Sequence, residues 1–528
     1  LSDQNPLLPG RRKYQLPREV WLVIGAGALI RFALLFISRD ALISYRLPDD
    51  ALYYFAIAKH IVLGHGVSFD GVHLTNGFHP LWLLSILPIF ALRLSEWSSI
   101  YGVLLFQTIL DCAVMWLIAV MFIRAKNVLE YPGGKWIVLI VTAAYALNPS
   151  IIIRSINGLE TTLAALVLTL WLPCYYTVFR EKLTWRIALW FGVLSGLLFL
   201  ARTDFAIILS VSGLFLLLIK LRQPHEQWVK LVSAVGIAIL IVTPWLIWNF
   251  YNFGTIEQVS GEAVPFMAQR KFDALYSGSL KYKMLAIEAA RNLLKPFMYV
   301  GLGLPLVMLL LPLGTPKFRS KYYAGLSKSG ILIPLLGALL LLLFHSIFRG
   351  FVRDWYILQL LPIIVVLFGV SCALFGRYDL RLFGLTLVLC YLAVGRYEWM
   401  NPRYVSQLAV VHAGVPYVEG AKPGTRFGSL NSGWYGFFAP QGVYVGNLDG
   451  VVNPDIFPFI KSGNMHGYLA KDSIGYVLDF KGDLGGYRGL IDTNLTKGFA
   501  LDSLLGTPQS RDSLELLGRI AVSNGVAH

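Results

Sequence analysis

Apolar runs of roughly 17 to 25 residues, the length a helix needs to cross a bilayer's hydrocarbon, recur along the chain. They lie near 18–38, 98–123, 135–153, 160–178, 186–201, 204–221, 229–250, 298–314, 331–347, 356–375 and 382–396, several of them short. Lipid offers no partner for a backbone N–H or C=O, so such runs must satisfy themselves as helices. Composition agrees, since 56% of the 528 residues are hydrophobic and only 14% charged, outside the range of a soluble globule. The chain therefore reads as a polytopic α-helical membrane protein with about eleven spans.

Segment 81–94 contains Pro88 and is marginal in length, so a re-entrant or surface helix is expected there. Charge placement supports that reading. With a cytoplasmic N-terminus, the loops holding Arg124, Lys126 and Lys135, then Arg180, Lys182 and Arg186, then Lys220, Arg222 and Lys230 all fall inside. So do Lys317, Arg319, Lys321 and Lys328, and finally Arg377 and Arg381, as the positive-inside rule asks. Counting 81–94 as a crossing would invert every later loop. The outer regions become 39–97, 154–160, 202–204, 251–297, 348–355 and everything after 396, and the expected address is a plasma (bacterial inner) membrane. The first run follows Arg11, Arg12, Lys13 and Arg18 without a small-residue cleavage site, so it reads as an anchor.

A formal charge of +15 raises the question of nucleic acid. The cations are scattered between apolar runs rather than blocked, which points to topology and anionic lipid instead. Cys112, Cys174, Cys372 and Cys390 all sit in apolar stretches, with neither metal-ligand spacing nor a pairing pattern.

The outer regions carry the chemistry. Asp49 and Asp50 stand together in Leu47-Pro48-Asp49-Asp50-Ala51-Leu52-Tyr53-Tyr54, at the rim of the hydrocarbon. Two acids there are costly unless they hold a metal, a cation or an acceptor hydroxyl; the plainer alternative is a helix start. Residues 50–62 then repeat apolar positions at helical spacing up to Gly64-His65-Gly66, as an interfacial helix would. Region 251–297 mixes aromatics with Arg270, Lys271, Lys281, Lys283, Arg291 and Lys295, suited either to gripping a lipid phosphate or to snorkelling. After 396, Gly-rich turns alternate with apolar tracts at 425–430, 442–448 and 474–479, which read as strands. The division expected is 1–396, transmembrane, and 397–528, a small extracytoplasmic α/β domain. Asn447-Leu448-Asp449-Gly450-Val451-Val452-Asn453 invites a sugar or cation site, but after a strand these residues more often make a turn.

Three further tracts follow the acidic pair: Thr75-Asn76-Gly77-Phe78-His79-Pro80-Leu81-Trp82, Asn157-Gly158-Leu159-Glu160-Thr161-Thr162 and Leu200-Ala201-Arg202-Thr203-Asp204. In order and sidedness this arrangement resembles the GT-C superfamily of integral membrane glycosyltransferases. It is most similar to the branch of cell-wall arabinofuranosyltransferases, with protein O-mannosyltransferases and the lipid A aminoarabinose transferase further off. The likeness is close over roughly the first 250 residues and loose beyond.

The resemblance implies a GT-C fold and an inverting transfer of sugar from a polyprenyl-phosphate donor to an acceptor hydroxyl on a glycan, lipid or protein. A base must take the acceptor proton, and a positive group must hold the departing phosphate. Asp50 is the expected base, with Asp49 as its alternate. For the phosphate, Arg353 and Arg349 in Phe348-Arg349-Gly350-Phe351-Val352-Arg353-Asp354-Trp355-Tyr356 stand first, with Arg202 and His79 behind them; an Arg353–Asp354 ion pair is the structural alternative. Glu160, Asp204, Asn76 and Tyr54 are expected to bind substrate. Ion pairs of Glu160 with Arg154 and of Asp204 with Arg202 compete with that role. No metal is expected, because arginine supplies the positive charge; Mg²⁺ or Mn²⁺ at the carboxylates is the alternative. Asp111, alone in an apolar span, is either a hydrogen-bond partner facing the bundle or part of a pathway, the former being commoner. A transporter would place its ionisable groups at the midplane, whereas these acids gather at one edge. A noncatalytic scaffold subunit of the same architecture is the other alternative.

Overall fold

A computed structural model describes residues 15–125, 134–349, 352–375 and 380–480, together with short strands at Leu514–Leu517, Val522–Ser523 and Val526–Ala527. Among these, six helices are long and apolar enough to cross a membrane: Glu96–Arg124, Gly134–Arg154, Thr161–Arg180, Thr203–Lys220, His225–Phe253 and Leu380–Met400. Two bent pairs pass the same test, Gly278–Tyr299 with Gly301–Gly314 and Phe318–Lys328 with Leu332–Phe348. Shorter apolar helices stand at Trp185–Ala201 and Leu361–Leu374, and Arg18–Ala33 covers the first run. The protein is thus a multi-pass helical membrane protein, with a helix at each expected run.

Segment 81–94 forms the helix Pro80–Ala91, only 12 residues. At 1.5 Å per residue it reaches about 18 Å, well short of the hydrocarbon's ~30 Å. Region 251–297 is not an open loop but two helices, Val259–Leu275 and Gly278–Met298. The second turns by 108° into Gly301–Gly314. The bend falls where Gly301 and Gly303 take φ of 57° and 95°, conformations glycine adopts without steric cost.

Close packing in the bundle relies on small residues where no hydrophobic effect drives helices together. Gly192 and Gly196 on Trp185–Ala201 press against His225–Phe253; a Cβ on either would meet Ala234 O at 2.5 Å or Ile241 Cβ at 2.8 Å. Asp111 does face the bundle. It accepts from Arg31 Nε at 2.5 Å and from the Tyr145 hydroxyl at 2.7 Å, all three buried, pinning three helices.

Beyond the last span, β1 (Arg426–Ser429), β2 (Tyr444–Asn447), β3 (Tyr476–Phe480) and β4 (Leu514–Leu517) form a sheet of order β2-β1-β3-β4. Pairs β1–β2 and β1–β3 are parallel, with Phe427 opposite both Val445 and Tyr476, and β4 runs antiparallel. Parallel neighbours need crossovers, supplied by Gly433–Phe438 between β1 and β2 and by Phe457–Ser462 with Met465–Lys471 before β3. The three tracts read as strands are β1, β2 and β3. Helix Gly433–Phe438 is buried along its whole length and lies against Asp49–Leu63, whose residues 51–58 are buried on every side. The sheet's first crossover therefore roofs the helix that begins with the acidic pair.

Candidate active site

Pro48, extended at φ −68° and ψ 153°, turns the chain into the helix that starts at Asp49. Both acids fall in the first turn, where the helix dipole favours negative charge. They then part company. Asp49 is buried and accepts from the Gly433 N–H at 3.0 Å and the Trp434 N–H at 3.1 Å, capping the roof helix from across the molecule. Burial pushes its carboxyl up to about 7, against the pull of those amide hydrogen bonds. Asp50 remains exposed. Water reaches its side chain, yet enough protein surrounds it that desolvation also raises its carboxyl, with the Arg353 charge pulling down and Glu160 pushing up. A carboxylate in that position is open to a substrate group.

Next to it stands a polar frame. Glu160 is the residue before helix Thr161–Arg180, set by the turn at Gly158 (φ 81°), where a Cβ would meet Ala51 at 2.7 Å. Trp82 Nε1 donates to Gly158 O at 3.0 Å and Gln107 accepts from Gly158 N at 2.7 Å. Glu160 accepts from the Tyr54 hydroxyl at 2.9 Å and from Arg202 Nη1 at 2.5 Å. Arg202 forks onto Asp204 through Nε at 3.0 Å and Nη2 at 2.5 Å, the bidentate geometry that suits guanidinium to carboxylate. Asp204 also meets His345 Nε2 at 2.9 Å, and His345 stacks on Tyr356 with ring centres 4.8 Å apart. Arg202 lies over the same Tyr356 ring at 4.6 Å. Each buried charge here has its counter-charge, which offsets the cost of taking it out of water.

His79 enters from the loop before Pro80–Ala91; its backbone N–H donates to the Tyr54 hydroxyl at 3.1 Å and its Nε2 lies 3.8 Å from Glu160. Asn76 is spent on structure: it donates to Glu257 O at 3.1 Å and accepts from Val259 N at 2.9 Å, holding this loop to helix Val259–Leu275. Arg353 is exposed just before Asp354–Leu358 and lies 5.8 Å from the Trp355 ring. Arg349 ends the helix Leu332–Arg349, but its side chain lies outside the described residues.

The competing ion pairs divide. Asp204 pairs with Arg202, but Glu160 does so too rather than with Arg154. Arg154 instead holds Asp354 at 2.9 Å and Glu398, while Arg403 also binds Asp354. Asp50, Tyr54, Glu160, Arg202, Asp204, His79 and Arg353 thus gather at one place, with Asp49 one step behind and Asn76 behind the loop. His345, Tyr356 and Arg403 were not expected there; a histidine within an apolar run was the signal available for the first.

Both Asp49 oxygens are taken by backbone amides, and Glu160 and Asp204 are neutralised by Arg202. Among the described residues no group of three or more His, Cys, Asp or Glu side chains is arranged to hold a metal.

The bundle has the GT-C fold. ArnT from Cupriavidus metallidurans bound to undecaprenyl phosphate matches with a TM-score of 0.52 at 13% identity, over 94% of this chain and 97% of that one. The apo state of ArnT matches over the same shares at 0.50 and 14%. The archaeal oligosaccharyltransferase AglB from Archaeoglobus fulgidus, in complex with an inhibitory peptide and a dolichol-phosphate, matches at 0.50 and 12%, over 96% of this chain and 75% of that one. No family model matches the chain, and no curated protein sequence does.

Proposed function

We propose that the protein is a glycosyltransferase that moves a sugar from a polyprenyl-phosphate donor to an acceptor hydroxyl at the outer face of a plasma membrane, with inversion. One observation carries this reading. Of two adjacent acids, one is locked by backbone amides and the other stands water-accessible, within range of the charges of an arginine and a glutamate. In the proposed step Asp50 takes the proton of the acceptor hydroxyl, whose oxygen attacks the anomeric carbon. The bond from that carbon to the phosphate oxygen breaks, and its electron pair leaves with the polyprenyl phosphate. Arg353 holds the departing charge with its planar guanidinium fork. The Glu160–Arg202–Asp204 frame keeps Tyr54 and His79 in place around the sugar. Arginine serves here where a metal serves elsewhere, so the reaction is proposed to be metal-independent. The phosphate lipids bound by ArnT and AglB support a donor of this class.

The test is transfer of radiolabelled sugar from undecaprenyl-phosphate-linked pentoses and hexoses by purified protein in nanodiscs. Losing a general base costs about 10²–10⁴-fold, so Asp50→Asn is expected to fall by that much. Wild-type turnover in both Asp50→Asn and Asp49→Asn would remove these residues as the base. Uptake of solute into proteoliposomes without transfer would replace the reading with transport.

A further inference from the structure

Loop 447–453, which follows β2, is not an idle turn. It is wedged between two parts of the first 396 residues: a Cβ on Gly77 would meet Val451 O at 2.1 Å, and one on Gly450 would meet Ala263 Cβ at 3.6 Å. Gly77 belongs to the loop that delivers His79. Asn447, fully buried, donates to the Ser432 hydroxyl at 3.0 Å and to the Tyr53 hydroxyl at 3.4 Å. Tyr53 lies three residues after Asp50, on the same helical face. Through Asn447 and Tyr53 the loop is fixed against the very turn that carries the acidic pair. Asn453 anchors its far end on Asn447 O at 2.9 Å and the Tyr468 hydroxyl at 2.7 Å.

At the tip stands Asp449, half-buried. One of its oxygens accepts from the Val451 N–H at 2.9 Å, an Asx turn that sets the carboxyl's direction. The charges of Asp50 and Asp49 act on it, and its own charge is the strongest acting on the Tyr53 hydroxyl. Asp50 therefore feels the charge of a cation, Arg353, and its own charge acts on a second carboxyl, Asp449, which the Asn447–Tyr53 contact holds beside the same helix. A phosphate belongs at the first and is repelled from the second; a polyhydroxylated group, whose O–H bonds point to carboxyl oxygens, fits the second.

We propose that Asp449 is a substrate-binding residue, brought by the C-terminal domain to the Asp50 site, that accepts hydrogen bonds from sugar hydroxyls and not from the lipid phosphate. The proposal rests on the glycosyltransferase reading and adds to it a sugar-reading group from outside the membrane half. The sugar concerned belongs either to the donor or to a glycan acceptor, and the two sources separate experimentally.

Full-length protein in nanodiscs is assayed in two ways for wild type, Asp449→Asn and Asp449→Ala. Binding of bare undecaprenyl phosphate is expected to stay within about twofold in both variants. Transfer from the undecaprenyl-phosphate sugar panel is expected to fall roughly tenfold or more, the worth of a charged hydrogen bond. A higher KM for the donor, seen also in its hydrolysis without acceptor, puts the hydroxyls on the transferred sugar. A loss seen only with an arabinan or mannan oligosaccharide puts them on the acceptor. Wild-type kinetics in Asp449→Asn overturn the assignment alone, as does an equal loss of bare-lipid binding, the mark of a merely structural residue. Wild-type protein that transfers sugar from no member of the panel contradicts the glycosyltransferase reading, and the assignment falls with it.

Discussion

Consecutive helical side chains point about 100° apart, and that turn separates the duties of Asp49 and Asp50. Asp49 satisfies two buried amides; Asp49→Ala leaves them orphaned, costing about 1–3 kcal/mol each at most. A lower melting temperature in nanodiscs is expected for Asp49→Ala, whereas Asp50→Asn should melt as wild type while losing turnover. A base must be ionised, and Asp50 has its carboxyl raised by burial. Activity should therefore drop as pH falls through a limb displaced above the ordinary carboxylate range. A kcat/KM profile with its acid limb at the usual value would contradict this. Removing Glu160 or Asp204 leaves Arg202 short of a partner in a buried site; Glu160→Ala and Asp204→Ala are each expected to cost about 3–5 kcal/mol in thermal or denaturant unfolding. The adjacency of Arg202 and Asp204 made their pairing legible from sequence. Glu160 with Arg202, and Arg154 with Asp354 and Glu398, meet across 42 to 244 residues, beyond what spacing can show.

Among the elements, the spans were legible because hydrocarbon thickness fixes helix length, whatever the packing. The 108° break at Gly301–Gly303 was not, since glycine in an apolar run signals packing as readily as bending. Nor was the burial of Asp49–Leu63: its apolar spacing suits an interface as well as a roofed groove. The roof itself is a clasp between loop 64–79 and the C-terminal sheet. His73 Nδ1 meets Asp70 at 2.8 Å, and its Nε2 lies 3.7 Å from Asp472 and 3.9 Å from Asp455. Tyr444 bridges Asp70 and Asp472, with Arg426 lying over its ring and Tyr468 also bonded to Asp472. The Asp70 bond raises the His73 imidazole above its ordinary value, and burial raises Asp49 to about 7.

Both shifts have one sign. A raised His contributes docking stability that is present at low pH and lost as pH rises through its folded value. A raised carboxyl costs docking energy as it ionises, over a window from near 4 to about 7. Asp70, lowered chiefly by His73 against burial, loses its contribution only below that window. Hydrogen-exchange protection in residues 426–447, taken relative to the intrinsic exchange rate at each pH, is therefore expected to be higher at about pH 5.5 than at about pH 8, with the difference reduced in His73→Gln. Equal protection at both would contradict the clasp. Gly433→Ala tests the same contact sterically, since its Cβ would lie 2.3 Å from Asp49 O. Faster exchange across the roof helix is expected at any pH, and protection equal to wild type would show the contact unimportant.

At the scale of the molecule, the chain joins a bundle of GT-C fold to a small mixed sheet whose first crossover covers the helix that begins with the acidic pair. The class of fold and the strands after residue 396 were readable from periodicity and order. The docking was not, because Asp49 and Gly433 are 384 residues apart and nothing local in either announces the other. The central claim is that early acids and a late arginine flank one hollow that receives a lipid phosphate. A cryo-EM map of the protein in nanodiscs with undecaprenyl phosphate tests it most directly. The phosphate should appear within hydrogen-bond reach of the Arg353 guanidinium, on the Asp50 side of the bundle, with the isoprenoid running between helices. A phosphate density remote from Arg353, or at the opposite membrane face from Asp50, would contradict the claim.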